Sequence, residues 1–249
     1  MNYIEYGKEH KKVIVLLHGG GLSWWNYREA AEKLSSDYRV ILPVLDGHAK
    51  SSCDFTSIEE NAARIIKFID EHLGGSVLLI GGLSLGGQIA LEILSQKKDI
   101  CRYALIESAL VVPSKFTYAM IKPVFGSCYG LIKRRWFSRL QFKSLKIKQE
   151  LFEEYFRDTC GISKSNMIAF LEANALYCIK PSVADCTAKS CVFVGEKENR
   201  AMQKSAKIIH QILQGSLLQV LPQMGHGEFS INHAEDFANK ILDVIEADR

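Results

Sequence analysis

The chain has 249 residues, of which 47% are apolar, and its formal net charge is +3. This length allows one large domain or two small ones, and the apolar fraction is sufficient for a sizeable buried core. No apolar run approaches the roughly 20 residues that a membrane-spanning helix needs, so we expect no stable membrane insertion. The polar segment 1–12 has no apolar signal-peptide core, which argues against secretion.

Seven cysteines are scattered through the chain without a Cys-x-x-Cys pair. An odd number of scattered thiols is typical of a reducing compartment, so we expect a cytoplasmic protein without a disulfide framework. The sequence also has no His-Glu-x-x-His motif and no paired Cys/His spacing. We therefore expect no metal ion and no cofactor.

Short apolar runs alternate with segments whose apolar residues share one helical face. Six strands are predicted, at 12–17, 39–45, 77–80, 103–106, 191–194 and 216–221. Helices are predicted between or after them, at 23–34, 58–73, 202–213 and 237–245. Strands that alternate with amphipathic helices predict an α/β fold, with a mostly parallel sheet and helices on both faces.

The alternation stops between Val111 and Ala184, where the sequence is aromatic-rich and mostly helical in pattern. We interpret 1–112 and 185–249 as the α/β core, and 113–184 as a helical cap inserted into it rather than an independent domain. Ligands bind at the C-terminal edge of open α/β sheets. The cap is therefore expected to cover that edge, where its aromatic residues could line an apolar acyl pocket.

The cap also contains a run of basic residues. Nine lysines and arginines, and no acidic residue, lie between Pro113 and Gln149. Such a run is most often a solvated helix face, but it could also attract an anionic substrate or an acidic membrane surface. No nucleic-acid-binding motif accompanies it, so we expect no nucleic-acid partner. The oligomeric state is left open.

The hexapeptide Gly-Leu-Ser-Leu-Gly-Gly at 82–87 joins a predicted strand to a helical pattern. A serine with glycine two residues away on each side, at such a turn, is typical of a nucleophile elbow. The N-terminus of the following helix adds partial positive charge for a developing anion. Ser84 is therefore the predicted nucleophile. A phosphate-binding loop would need a lysine after the last glycine, where Gln88 stands.

A serine needs a base within hydrogen-bond reach to become a good nucleophile. His226, in Gly-His-Gly just beyond the last predicted strand, should lie at the same sheet edge as Ser84. We predict that His226 is the base. His18 and His48 stand next to glycines in predicted turns, and we interpret both as loop-shaping residues that bond nearby backbone.

Four sequence blocks resemble the α/β-hydrolase family, of the small, capped, esterase- or lipase-like type. They are His18-Gly19-Gly20-Gly21 followed by Trp24-Trp25, then Asp46-Gly47-His48-Ala49-Lys50-Ser51, then the elbow at 82–87, and finally Gly225-His226. The four blocks occur in the order and at the spacing of that family, and the resemblance covers nearly the whole chain. The order of nucleophile, acid and histidine along the chain also agrees with that family.

The resemblance implies an oxyanion hole and a triad acid. The backbone N–H groups of Leu85 and Gly20 would form the hole, with Gly21 as the next candidate. The family commonly carries an aspartate where Glu198 stands here, and Glu198 is therefore the favoured acid. Glu107, at the end of a predicted strand, and Glu196 are the alternatives.

These residues predict a serine hydrolase that cleaves a carboxylic ester or related acyl bond through an acyl-enzyme intermediate. Its substrate would be a small acyl compound. Thioester hydrolysis, acyl transfer or lyase-type elimination would use the same residues. A non-catalytic ligand-binding protein of the same fold, or a scaffold that binds a partner through its basic cap, are alternatives from other classes.

Overall fold

The computed structural model describes residues 1–247, which form a seven-stranded sheet flanked by helices. The strands are β1 (Tyr3–Tyr6), β2 (Val13–Leu17), β3 (Arg39–Pro43), β4 (Val77–Leu83), β5 (Cys101–Glu107), β6 (Lys189–Gly195) and β7 (Leu217–Leu221). Their order across the sheet is β1-β3-β2-β4-β5-β6-β7. β1 pairs antiparallel with β3, and every other pairing is parallel.

Ten α-helices are present in residues 1–247, and four of them lie between β5 and β6. They are α1 (Arg28–Leu34), α2 (Ile58–His72), α3 (Leu85–Gln96), α4 (Lys115–Ile132), α5 (Arg135–Ser144), α6 (Phe152–Gly161), α7 (Lys164–Leu176), α8 (Arg200–Ile212), α9 (Glu228–Asn232) and α10 (Ala234–Glu246). Short 3-10 helices lie at Trp24–Tyr27, Gln149–Leu151 and Pro181–Asp185.

The sheet separates two hydrophobic cores. Val13 and Val15 of β2 pack in the core that contains residues of α2, α3 and α8. Ile14 and Leu16, which alternate with them, pack in the core that contains residues of α1 and α10. Because successive side chains of a strand point to opposite faces, a strand covered on both sides is apolar throughout. The predicted α/β class, a mostly parallel sheet with helices on both faces, is confirmed.

Two local predictions were wrong. The segment predicted as one helix at 23–34 is a 3-10 helix at Trp24–Tyr27 followed by α1. β1 was not predicted at all, since its four residues alternate between polar and apolar over too short a length to stand out. It is an edge strand, exposed at Tyr3 and half-buried at Ile4, so its sequence lacks the continuous apolar run of a buried strand.

The inserted helices α4 to α7 pack onto the rest of the chain through both cores. Phe170 of α7 belongs to the α2/α3 core, and Phe152 of α6 to the α1/α10 core. The indole Nε1 of Trp25 donates a 3.0 Å hydrogen bond to the buried carboxylate of Asp158 in α6. No helix within the described residues 1–247 is long and apolar enough to cross a membrane.

The turn between β4 and α3 is tight because it lacks side chains at two positions. A β-carbon at Gly82 would lie 2.2 Å from the carbonyl oxygen of Gly86, and one at Gly86 would lie 2.0 Å from that of Leu17. Ser84, at the centre of the turn, has φ 54° and ψ −113°. Such a backbone is strained for a residue with a side chain, and strain of this kind is held where surrounding contacts enforce it.

We expect Gly86→Ala to destabilise the fold by at least about 1–3 kcal/mol, because backbone rather than a flexible side chain obstructs the new methyl group. Urea unfolding of the purified variant measures this loss. The matched control is Gly126→Ala in α4, where no atom lies within 4 Å of the new β-carbon. That change should stabilise by about 0.5–1 kcal/mol, since alanine favours a helix interior. Equal effects of the two changes would contradict the packing argument.

Candidate active site

Three residues predicted as catalytic lie at one edge of the sheet. Ser84 follows β4, Glu198 lies just beyond β6, and His226 lies beyond β7. Because these strands run parallel, their C-terminal ends meet at the same edge. Ser84 and His226 line a single cavity of about 120 Å³.

His226 and Glu198 form a short hydrogen-bonded pair. The distance from Nδ1 of His226 to Oε2 of Glu198 is 2.7 Å. The histidine side chain is 43% exposed, whereas that of the glutamate is only 2% exposed. A neutral imidazole that donates from Nδ1 has its lone pair on Nε2. The Glu198 contact therefore leaves Nε2 as the basic nitrogen.

The second oxygen of Glu198 accepts two further hydrogen bonds. Oε1 lies 2.7 Å from Oγ of Ser108 and 2.8 Å from the backbone nitrogen of Gly195. Burial alone would raise the pKa of Glu198, but the hydrogen bond and charge of His226, with the bonds from Ser108 and Gly195, lower it overall. Glu198 is thus held ionised, which is the state that stabilises a protonated histidine.

Two residues at the ends of neighbouring strands, Gly195 and Ser108, explain this geometry. A β-carbon at Gly195 would lie 2.4 Å from the carbonyl oxygen of Met224, so glycine lets the turn that carries His226 approach β6. Ser108, directly after β5, was not identified from the sequence, which drew attention only to the preceding Glu107. Its hydroxyl is the side chain that orients Glu198 from the neighbouring strand.

The two alternative acids have other contacts. Oε2 of Glu196 accepts hydrogen bonds from the backbone nitrogen of Gln223 at 2.8 Å and from its side-chain Nε2 at 3.2 Å. Glu107 is buried beneath the site, and its Oε1 accepts a 3.3 Å bond from the backbone nitrogen of Ser230. Of the three candidate glutamates, the structure brings Glu198 to His226.

Glu107 nevertheless differs from an ordinary carboxylate. Its carbonyl oxygen accepts the backbone N–H of Ser84 at 2.9 Å, which anchors the elbow to β5. Burial raises the pKa of its side chain to about 7. Within residues 1–247, its Oε2 has no hydrogen-bond partner. A carboxyl group in this environment is largely protonated below neutral pH.

The predicted oxyanion donors are not equivalent. The N–H of Gly21 donates a 3.0 Å hydrogen bond to Nε2 of His48 and is therefore occupied, which corrects its place among the candidates. Gly20 lines the Ser84 cavity, and a β-carbon built on it would lie 3.5 Å from Cβ of Leu85. Neither the N–H of Gly20 nor that of Leu85 has a hydrogen-bond partner in the described part of the chain. Both remain predicted donors.

His18 and His48 shape the glycine loop from below, as predicted. Nδ1 of His18 lies 2.9 Å from the carbonyl oxygen of Gly19, and its Nε2 accepts from the nitrogen of Leu45 at 3.2 Å. Burial lowers the pKa of His18 well below its usual value, and that of His48 to about 4. Both rings are therefore neutral near pH 7, so each can accept a backbone N–H.

The insertion supplies part of the cavity wall. Leu145 and Ile147 line the Ser84 cavity from the segment after α5. Lys146 between them has φ 54°, and its carbonyl oxygen accepts a 2.7 Å bond from the side-chain nitrogen of Asn232. The side-chain oxygen of Asn232 accepts the N–H of Lys148 at 3.2 Å. Asn232 ends α9, the helix that follows His226, so this part of the insertion is tied to the histidine turn.

A second cavity of about 210 Å³ adjoins the first and shares Gly20, Leu22 and Leu145 with it. Its remaining lining is mainly apolar and comes from the inserted helices. These residues are Phe125, Ile132, Gln141, Tyr155, Thr159, Met167, Phe170 and Leu171, together with Gly21 of the core. The two cavities form a predominantly apolar space that leads from Ser84 to the underside of the insertion.

The sequence of residues 14–240 matches the profile of the alpha/beta hydrolase family. The chain belongs to this family. An uncharacterised hydrolase of Bacillus subtilis, YugF, is 25% identical in an alignment 247 residues long that covers 90% of this chain and 86% of that protein. Human epoxide hydrolase 4 is 25% identical in an alignment 187 residues long that covers 68% of this chain and 50% of that protein.

Solved structures also share the architecture of this chain. An esterase from Exiguobacterium antarcticum superposes with a TM-score of 0.83 at 19% identity, covering 98% of this chain and 94% of that one. This likeness concerns the fold. Family and fold together identify the protein as a hydrolase of the alpha/beta class.

We expect Glu198→Gln to lower kcat by about 10²–10⁴-fold with little change in KM, because an amide neither stabilises the protonated His226 nor holds its tautomer as well. Steady-state hydrolysis of a chromogenic ester measures the effect. Glu196→Gln is the matched control and should keep kcat within about twofold of wild type. Near-wild-type activity of Glu198→Gln would instead make Glu107 the acid.

We also expect Glu107 to make stability depend on pH. Its pKa is raised from the ordinary 4.5 to about 7 in the folded protein, so the folded state binds the proton more tightly than the unfolded chain. The stabilisation is complete below about pH 4.5 and disappears as pH rises towards about 7. Relative to Glu107→Gln, wild type should lose about 3 kcal/mol of unfolding free energy over that window.

Urea unfolding of both proteins at about pH 5 and about pH 8 measures this difference. The comparison with Glu107→Gln is needed because the lowered pKa of His48 makes stability rise with pH, opposite to the effect of Glu107. Both proteins contain His48, so its contribution cancels in the difference between them. A difference in stability that stays the same at both pH values would contradict the expectation.

Proposed function

We propose that this protein is a serine hydrolase that cleaves carboxylic esters with an apolar acyl group through an acyl-enzyme intermediate. The observation that carries the proposal is the 2.7 Å contact between His226 and the buried Glu198, beside a cavity that Ser84 also lines. A histidine oriented by an ionised carboxylate next to a strained serine is the arrangement that activates a hydroxyl group.

In the first step, Oγ of Ser84 attacks the carbonyl carbon of the ester, and Nε2 of His226 takes the hydroxyl proton. Glu198 stabilises the imidazolium that forms and stays ionised. The carbonyl oxygen becomes an oxyanion, which the N–H groups of Gly20 and Leu85 would stabilise. When the tetrahedral intermediate collapses, the proton passes from His226 to the departing alcohol.

The second step repeats the first with water. His226 removes a proton from a water molecule as the water attacks the acyl carbon on Ser84. Collapse of the second tetrahedral intermediate releases the carboxylic acid, and the proton returns to Oγ of Ser84. The enzyme is regenerated without any other reactant. A thioester would follow the same route with a thiol as the leaving group.

The apolar character of the two adjoining cavities supports an apolar acyl group. Leu22 and Leu145 line both cavities, and Phe125, Met167 and Phe170 line the farther one. Each methylene group moved from water into such a site contributes about 0.8 kcal/mol. Binding energy should therefore rise with acyl length until the farther cavity is filled.

The chemistry of Ser84 argues against covalent epoxide opening, although one relative is named an epoxide hydrolase. Attack of a serine hydroxyl on an epoxide carbon would form an alkyl ether. An ether has no carbonyl carbon for water to attack, so the enzyme would be trapped after one turnover. An ester gives an acyl-enzyme that water can hydrolyse.

We expect a fluorophosphonate probe to label wild type, and p-nitrophenyl esters to be hydrolysed with kcat/KM rising from acetyl to longer acyl chains by up to about fourfold per methylene. Ser84→Ala should abolish labelling and lower kcat by about 10³-fold or more, because the nucleophile is gone. Mass spectrometry of the labelled protein identifies the modified residue, and steady-state rates measure turnover.

His226→Ala should also lose labelling, whereas His210→Ala, a change to a histidine in α8, should label at the wild-type rate. Labelling of a residue other than Ser84, or a failure of wild type to react with the probe and with every ester, would refute the proposed mechanism. A rate that is flat or falling with acyl length would refute only the apolar acyl site.

A further inference from the structure

The outer surface of α4 and α5 exposes an unusual number of large apolar side chains. Six of them, each between 37% and 79% exposed, are Phe116, Met120, Val124 and Leu131 of α4 and Trp136 and Leu140 of α5. We refer to these six residues as the outer patch. Soluble surfaces usually scatter single apolar residues, whereas a group of them marks an interaction site.

The α4 part of the patch is one face of the helix. Phe116, Met120 and Val124 follow one another at intervals of four residues, and Leu131 comes seven residues later, which places all four on one side. A separate face, which includes the buried Ile121 and Ile132, packs inward. The helix therefore has two apolar faces and buries only one of them.

On α5, apolar and basic side chains are interleaved. Trp136 and Leu140 are 61% and 60% exposed, and Arg139 and Lys143 are also exposed on this helix. Arg139, Lys143 and Lys146 line a surface groove of about 480 Å³ whose other lining residues carry no charge. A helix surface that combines tryptophan and leucine with arginine and lysine is typical of segments that lie in a membrane interface.

The charge of this region is strongly positive and incompletely neutralised. Of the nine basic residues between 113 and 149, three pair with carboxylates: Lys122 with Glu172, Arg135 with Glu153 and Lys148 with Glu29. In residues 1–247, the other six have no carboxylate within 4.0 Å. They are Lys115, Lys133, Arg134, Arg139, Lys143 and Lys146. The segment itself contains no acidic residue.

We propose that the outer patch docks the protein on the surface of an anionic lipid bilayer. The apolar side chains would enter the region between headgroups and acyl chains, and the basic residues without a carboxylate partner would supply positive charge for the anionic headgroups. Charge complementarity favours this occupant over a second copy of the chain, because a symmetric dimer through the same surface would bring two positive patches together. No helix in residues 1–247 could span the bilayer, so the protein would lie on it.

The basic groove, which Arg139 and Lys143 of α5 help to line, is close to the proposed active site. The basic groove and the Ser84 cavity share Ile147, and Lys146 lines both the groove and a further pocket that includes His226. A docked protein would therefore hold the entrance to its apolar cavity near the lipid. The docking proposal does not depend on the acyl chemistry, since it concerns the outer surface alone.

The test is co-sedimentation of the full-length protein with vesicles, either of phosphatidylcholine alone or of phosphatidylcholine and phosphatidylglycerol in equal parts. We expect binding to the mixed vesicles to be at least about tenfold stronger and to weaken with added salt. Arg139→Gln with Lys143→Gln should weaken that binding by about tenfold or more. Trp136→Ala with Leu140→Ala should weaken it at high salt as well as low.

Matched control variants remove the same kinds of side chain from other parts of the surface, to test whether their location on α4 and α5 matters. Lys204→Gln with Lys207→Gln, on the exposed surface of α8, removes the same net charge and should leave binding within about twofold of wild type. Leu217→Ala removes a leucine that is 62% exposed on β7, against 60% for Leu140, and should have no effect. Retained fluorophosphonate labelling and circular dichroism show that each variant is folded.

Equal binding to neutral and anionic vesicles would overturn the proposal, as would equal losses in the patch and control variants. If wild type forms a dimer in sedimentation velocity that the patch variants abolish, and binds neither kind of vesicle, the patch is an interface between copies instead. Because sedimentation measures binding and labelling measures the activated serine, failure of this proposal is distinguishable from failure of the proposed hydrolase activity.

Discussion

The backbone contact between the turn after β4 and the end of β2 holds Ser84 next to the glycine loop, and the rest of the site is arranged around that serine. A methyl group at Gly86 would overlap the carbonyl of Leu17, so the first turn of α3 is pressed against the strand that leads into the glycine loop. Leu85 then lies beside Gly20, where a β-carbon built on the glycine would be 3.5 Å from Cβ of Leu85, and Ser84 lines the cavity. The strain at Ser84 is offset by the packing of a helix that is buried along most of its length.

Two glutamate side chains buried at the same sheet edge have opposite pKa shifts, because their hydrogen-bond partners differ. Glu198 and Glu107 both end or follow central strands, yet the pKa of one is lowered and that of the other is raised. Glu198 receives bonds from His226, Ser108 and Gly195, whereas one oxygen of Glu107 is unpartnered within residues 1–247. Hydrogen bonds rather than burial therefore decide which carboxylate is charged beside the histidine.

The fold was largely predictable because its strands are buried on both faces and its helices are amphipathic. The Gly-rich turns around Ser84 and His226 were also visible, since tight backbone needs particular residues. Glu198 was favoured over Glu107 and Glu196 only by its position in the family resemblance, because the contact itself depends on hydrogen bonds between loops far apart in the chain. Ser108 and the contact between Gly21 and His48 were invisible for the same reason. The exposed apolar side of α4 could not be told from a buried one by periodicity alone.

The clamp that Asn232 makes on the backbone around Lys146 joins two parts of the chain that the sequence keeps 84 to 86 residues apart. One end of that clamp is the wall of the Ser84 cavity, and the other is the short helix that follows His226, the proposed base. Any outward swing of the wall would therefore pull on the base or break the clamp. Entry of substrate and readiness for proton transfer would then be mechanically linked, so that an enzyme with its wall displaced would bind without reacting.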